Sequence, residues 1–103
     1  MIDGTLIQRC AQALVDSSPA GSGVILFGSR ARGDHRPDSD ADFLVIQPRV
    51  RSRVAEAARL ARLLRSFHVP ADIMVVSRDT FEEWKNTPNS VFFEAARHGK
   101  VLA

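Results

Sequence analysis

The chain reads as an α/β protein (α+β in layout) with a small mixed β-sheet flanked by helices. Three observations predict it. Val24-Ile25-Leu26-Phe27, Phe43-Leu44-Val45-Ile46 and Ile73-Met74-Val75-Val76 are apolar runs of strand length. Longer stretches between them repeat their apolar residues at helical spacing. Clusters of Gly, Pro, Ser and Asn separate the two kinds of segment. With 103 residues, 45% of them hydrophobic, the chain can build one core and has little room for a second, so one domain over residues 1–103 is expected.

The elements follow in order. Ile2, Leu6, Cys10, Ala13 and Leu14 form an apolar stripe, predicting a first helix from Ile2 to Asp16. Ser17-Ser18-Pro19-Ala20-Gly21-Ser22-Gly23 breaks it, and Val24–Phe27 follows as a buried strand. Gly28-Ser29 stands where that strand hands over to a turn and a short helix. Residues 34–39, polar and containing Pro37, read as a loop. The second strand ends at Gln47-Pro48. A helix is expected from about Val50 to Phe67, with Val50, Val54, Ala57, Leu60, Ala61, Leu64 and Phe67 inward and Arg51, Arg59, Arg62 and Arg65 outward. Val69-Pro70 leads into the third strand. Ser77 or Asp79 can cap a short helix over Thr80–Trp84, which Thr87-Pro88-Asn89 breaks. A last helix runs from Ser90 to His98, Gly99 terminates it, and Val101-Leu102 can add an edge strand. Trp84, Val91, Phe92 and Phe93 are expected in the core, with some left for a partner.

Composition narrows the function. No apolar run approaches the roughly 20 residues a bilayer requires and nothing resembles a signal peptide, so a cytoplasmic protein without membrane contact is expected. The lone Cys10 lies on an apolar stripe and reads as a buried structural thiol. The net charge is +2, mildly basic, with arginine dominant. Arg30, Arg32 and Arg36 cluster at the glycine turn, while the helix arginines read as a solvated face. Direct nucleic-acid binding is not expected, because the aromatic interleaving of single-strand binders is missing.

The chemistry concentrates in Gly28-Ser29-Arg30-Ala31-Arg32-Gly33 and Ser39-Asp40-Ala41-Asp42. Glycine lets phosphate oxygens approach the main chain, the Ser29 hydroxyl adds a donor, and a helix start favours negative charge. Asp40 and Asp42, spaced by two at the head of a strand, project from one face, with Ala41 on the other. Two carboxylates 4 Å apart repel by about 4 kcal/mol at an effective dielectric near 20, which a divalent cation would offset. Magnesium takes one or two carboxylates plus substrate phosphates, tying the pair to the glycine turn. Asp72, heading the third strand, is a third candidate ligand. Arg32 reads either as a surface arginine paired to Asp34 or as a structural or phosphate-facing group. His35, His68 and His98 have no ligand spacing and read as surface or capping residues, His35 being close enough in sequence to contact nucleotide.

These residues resemble the signature of the DNA polymerase β-like nucleotidyltransferase superfamily, and within it the minimal (MNT-type) antitoxins. The matching positions are Gly28, Ser29, Ala31, Arg32, Gly33, Ser39, Asp40, Asp42 and Asp72, eight of them within one stretch of fifteen residues. The ending Glu94–Leu102 is similar to the helix, glycine and strand that close minimal members. The resemblance implies the polymerase-β-type nucleotidyltransferase fold and attack of an acceptor hydroxyl on the α-phosphorus of a nucleoside triphosphate. It assigns Asp40, Asp42 and Asp72 as catalytic and metal-binding residues holding two magnesium ions, with manganese as a substitute. Asp72 would also help deprotonate or orient the acceptor. Gly28, Ser29 and Arg32 would contact the nucleotide. The minimal size further implies an antitoxin that transfers AMP from ATP to a tyrosine of a HEPN-type ribonuclease toxin encoded in an adjacent gene. Two alternatives stay open: a non-catalytic module that occludes its toxin, and a transferase acting on a small molecule of the aminoglycoside type, whose pocket a homo-oligomer would have to build.

Overall fold

Hydrophobic periodicity becomes a layered structure in the computed structural model, which describes residues 4–36 and 39–103. Ile2 and Pro37, both named above, lie outside the described residues. The elements are α1 (Gly4–Asp16), β1 (Gly23–Phe27), α2 (Ser29–Arg32), β2 (Ala41–Gln47), α3 (Arg53–Leu63), a 3-10 turn (Leu64–Phe67), β3 (Ala71–Ser77), α4 (Arg78–Trp84), α5 (Val91–His98) and β4 (Lys100–Val101). Strand order is β3-β2-β1-β4. β2 and β3 run parallel, joined by the α3 crossover, whereas β1 is antiparallel to both β2 and β4. The sheet is mixed and helix-flanked, as expected.

Side-chain alternation along the strands sorts the core onto two faces. Val24, Leu26, Phe43, Val45 and Val75 pack beneath α1 and α3 with Ile7, Cys10, Leu14, Leu60 and Leu64. Ile25, Leu44, Ile46 and Val76 pack on the other face, under Phe81 of α4 and Ala95 of α5. Burial on both faces makes the strands near-continuous apolar runs. Cys10 is buried and free, and burial pushes its thiol pKa up, consistent with an inert structural role.

Serines set the helix starts. The side chains of Ser52, Ser77 and Ser90 accept from the backbone N–H of Ala55, Thr80 and Phe93. The Ser52 cap starts α3 at Arg53 rather than near Val50, and Leu64–Phe67 tightens into the 3-10 turn, ending the α-helix earlier than the periodicity suggested. Val54, expected inward, is 82% exposed, and Ala61 is exposed as well. Val54 overlooks the outer edge of β3, where the sheet has no further strand to cover it. Trp84, expected in the core, is 45% exposed: it ends a helix whose one buried residue is Phe81. Phe92 meets Phe81 edge to face, and Phe93 lies under the Arg97 guanidinium. Among the described residues no helix is long and apolar enough to cross a membrane.

Candidate active site

The glycine turn and the aspartates meet because of strand register. β1 pairs with β2 so that Phe27 lies opposite Asp42, which carries the next residue, Gly28, past the Asp42 side chain. A Cβ at Gly28 would fall on the Asp42 carboxylate, and Gly28 adopts φ 74° and ψ −156°, a conformation essentially reserved for glycine. The chain then winds into a single turn: the N–H groups of Ala31 and Arg32 donate to the Gly28 carbonyl at 3.1 Å each, and that of Gly33 donates to Ser29 at 2.9 Å. Gly33 closes the turn at φ 83°. Among the described residues the half-buried Ser29 hydroxyl has no side-chain partner.

Asp42 and Asp72 are register partners on the parallel strands β2 and β3, so their side chains leave the same sheet face, with strand axes about 4.8 Å apart. That face is the one α5 covers. Asp42 is half-buried, Asp72 and Asp40 are exposed, and Ala41 is buried on the opposite face, as the spacing of two required. The Asp42 pKa is raised above the ordinary carboxylate range. Burial is the main cause, followed by repulsion from Asp72 and Asp40 and a hydrogen bond with the Asp72 side chain, with Arg32 pulling the other way. Asp42 therefore senses both of the other aspartates. Among the described residues, however, no three His, Cys, Asp or Glu side chains stand close enough to form a ready-made ion cage.

Two arginines of the turn take different roles. Arg32 stands at the rim, 44% exposed, with Nε 3.3 Å from Asp34 and Nη1 3.6 Å from Glu94 of α5. The Asp34 pairing weighed from sequence is present, and Glu94, invisible to local reasoning, joins it. Arg30, grouped above with Arg32 and Arg36 at the glycine turn, is buried, and its Nε donates to the Ser39 carbonyl at 2.9 Å. Ser39 in turn closes on Arg36, accepting from the Arg36 N–H through its hydroxyl at 2.9 Å. The Ala41 N–H donates to the Pro70 carbonyl at 2.9 Å. Arg30 thus braces the segment that delivers Asp40, and the Pro70 contact locks the starts of β2 and β3 together. No sequence signal marked Arg30 as buried, since an arginine in a glycine turn reads as solvent-facing. His35, His68 and His98 are all exposed.

The nucleotidyltransferase domain family matches residues 7–99. A search of curated proteins finds no significant match. Among solved structures, the chain is similar to a toxin–antitoxin protein crystallised with AMP-PNP, at TM-score 0.66 and 20% identity over 99% of this chain and 73% of that one. It is similar also to a Sulfolobus solfataricus protein described as a nucleotidyltransferase, at TM-score 0.64 and 21% identity over 94% of this chain and 76% of that one.

Proposed function

The chain belongs to the nucleotidyltransferase domain family, and from that premise we propose that residues 1–103 act as one minimal, cytoplasmic, metal-dependent nucleotidyltransferase. The observation that carries this reading is the convergence of Gly28, Asp42 and Asp72: a glycine-only backbone passing over one carboxylate that is in register with a second. We assign nucleotide contact to Gly28, Ser29 and Arg32 and the catalytic carboxylates to Asp40, Asp42 and Asp72. ATP is the donor, and the AMP-PNP held by the similar toxin–antitoxin protein supports that choice.

The carboxylates suit a hard cation. Their donors are all oxygen, and Asp42 stands within electrostatic reach of both Asp72 and Asp40. Asp40, Asp42 and Asp72 would hold magnesium, which when bound neutralises phosphate charge and polarises the α-phosphorus. The protein's own part is positional. The Gly28-Ser29 turn offers backbone and hydroxyl donors to the phosphates, and α5 holds Arg32 at the rim through Glu94. Asp72, exposed at the outer strand, is reachable by an acceptor hydroxyl and takes its proton. The acceptor oxygen then bonds to the α-phosphorus, the bond to the bridging oxygen breaks, and pyrophosphate leaves.

The acceptor we assign is a tyrosine of a HEPN-type ribonuclease toxin encoded beside this protein, which would make the chain an antitoxin. It contains no tyrosine itself, so labelled ATP should leave it unmodified on that residue type when alone. With the toxin present, label should move onto the toxin and its ribonuclease activity should fall. Asp42→Asn keeps the side-chain size but removes a charge, so transfer should collapse. Full inhibition by Asp42→Asn, with no mass added to the toxin, would favour the occluding module over the enzyme.

A further inference from the structure

Between Arg49 and Arg65 the chain carries six arginines and one glutamate, a net of +5 where the whole chain carries +2. The remaining residues are therefore net negative. Glu56 is spoken for: it pairs with Arg59 at 2.8 Å, and Arg59 also donates to the Ser17 carbonyl at 2.7 Å. Among the described residues Arg49, Arg51, Arg53, Arg62 and Arg65 make no ion pair, and all five are exposed. A solvated face ordinarily mixes signs, because like charges one turn apart cost a few tenths of a kcal/mol each. Here Glu56, already paired with Arg59, is the one carboxylate against six arginines.

Most of these arginines line a concave surface. Arg49, Arg51, Arg59 and Arg62 line a cleft of about 430 Å³ with Gln47, Ser52 and the Arg59-paired Glu56. Arg51 and Arg53 line a second, of about 370 Å³, with the hydroxyl residues Ser77 and Thr80. The two clefts share Val50 and Arg51, so they adjoin as one groove. It lies beyond the carboxy end of β2, whereas Asp42 is the second residue of that seven-residue strand. At about 3.3 Å per residue, the groove stands roughly 20 Å from the aspartates. It is not the nucleotide site.

We infer that this groove binds the sugar–phosphate backbone of a double-stranded nucleic acid. Guanidinium forks match phosphate oxygens bidentately, and a pI of about 9.3 with arginines gathered on α3 and on the segment leading into it is the electrostatic footprint of such binding. An acidic protein partner fits less well. Protein interfaces are anchored by buried apolar and aromatic groups, and none of the exposed large apolar residues, Val54, Leu63, Met74, Trp84 and Val101, lines either cleft. The lack of aromatics, which counts against single-strand binding, is immaterial to backbone contact with a duplex, where bases stay stacked. The inference stands independently of the nucleotidyl-transfer reading.

The test is fluorescence anisotropy of the intact chain with labelled RNA and DNA duplexes of one sequence. Arg49, Arg51 and Arg62 supply about three phosphate contacts, so raising salt from about 50 to about 200 mM should weaken binding roughly 40-fold. Arg51→Ala/Arg62→Ala should lower affinity at least about 10-fold and reduce the salt slope by about two, with circular dichroism unchanged. Changing the duplex sequence should matter little. No binding at about 50 mM salt would overturn the inference. So would a loss equal to that of the double variant on removing a distant exposed arginine through Arg9→Ala, or displacement of the duplex by polyglutamate at equal charge, which would point to an acidic protein instead.

Discussion

Gly28 owes its identity to a residue fourteen positions later in the chain. Its neighbour Phe27 is in register with Asp42, so the backbone crosses the Asp42 carboxylate where a Cβ would stand. Its φ of 74° with ψ of −156° adds a second constraint, since such conformations cost other residues about 1–3 kcal/mol. Gly28→Ala should therefore destabilise the chain by about 1–3 kcal/mol in chemical denaturation, and calorimetry should show ATP binding lost. Gly33→Ala separates strain from contact. It shares a positive φ, but a Cβ there meets nothing within 4 Å, so stability should fall while ATP binding survives. If Gly33→Ala abolishes binding as fully as Gly28→Ala, backbone strain rather than the Asp42 contact is the operative feature.

At the scale of elements, α1, β2 and α3 are joined by one polar network. Gln47, buried at the end of β2, donates to Glu56 at 2.7 Å and to the Ser18 hydroxyl at 3.1 Å. The hydrogen bond from Arg59, then that from Gln47, holds the Glu56 carboxyl down at about 2 against an ordinary 4.5. A folded-state pKa below the unfolded value means the network stabilises above pH 4.5 and is lost as pH falls toward 2. Glu56→Gln should cost about 1–2 kcal/mol at pH 7, allowing for the solvent beside Arg59, and the difference from the parent should shrink below pH 3. Denaturant midpoints for both proteins across that range measure it. The network also marks the limit of sequence reading. The three long apolar runs, the breakers and the Ser77 cap, offered alongside Asp79, are local signals that place the strands and α4, whereas Ser52 and Ser90 cap their helices without having been read as caps. Val54 and Trp84 are misplaced because wheel periodicity knows nothing of where a sheet ends. Gly99 does terminate α5, but in extended conformation rather than left-handed: it is glycine because a Cβ would meet the Ala95 carbonyl and Ile25. At the site, the opposite facing of Ala41 and Asp42 was legible from spacing alone, although β2 begins at Ala41 and leaves Asp40 just ahead of the strand. The burial of Arg30, the Arg32–Glu94 contact and the alignment of Asp42 with Asp72 arise from long-range pairing that no short window contains.

At the scale of the whole molecule, two charged clusters stand at opposite ends of β2. Carboxylates gather where β2 and β3 begin, and arginines gather beyond the end of β2 where α3 starts. At the first cluster the fold holds Asp42 against both its own burial and the neighbouring aspartates, so the ionised site is under electrostatic load before any ligand arrives. A cation with ATP should relieve that load, and ligand that binds the native state alone raises stability by mass action. At free Mg-ATP about 100-fold above its Kd the gain is about 2.7 kcal/mol, a rise in Tm on the order of 10 °C for a chain this size. ATP in chelator should give little of it. Asp42→Asn removes part of the load, so it should melt at or above the parent temperature without ligand and show a much smaller rise with Mg-ATP. Differential scanning calorimetry of both proteins, with and without chelator, reads all of these quantities. An equal rise for the parent in chelator would mean that the nucleotide binds through the glycine turn alone, leaving the carboxylates outside the nucleotide site.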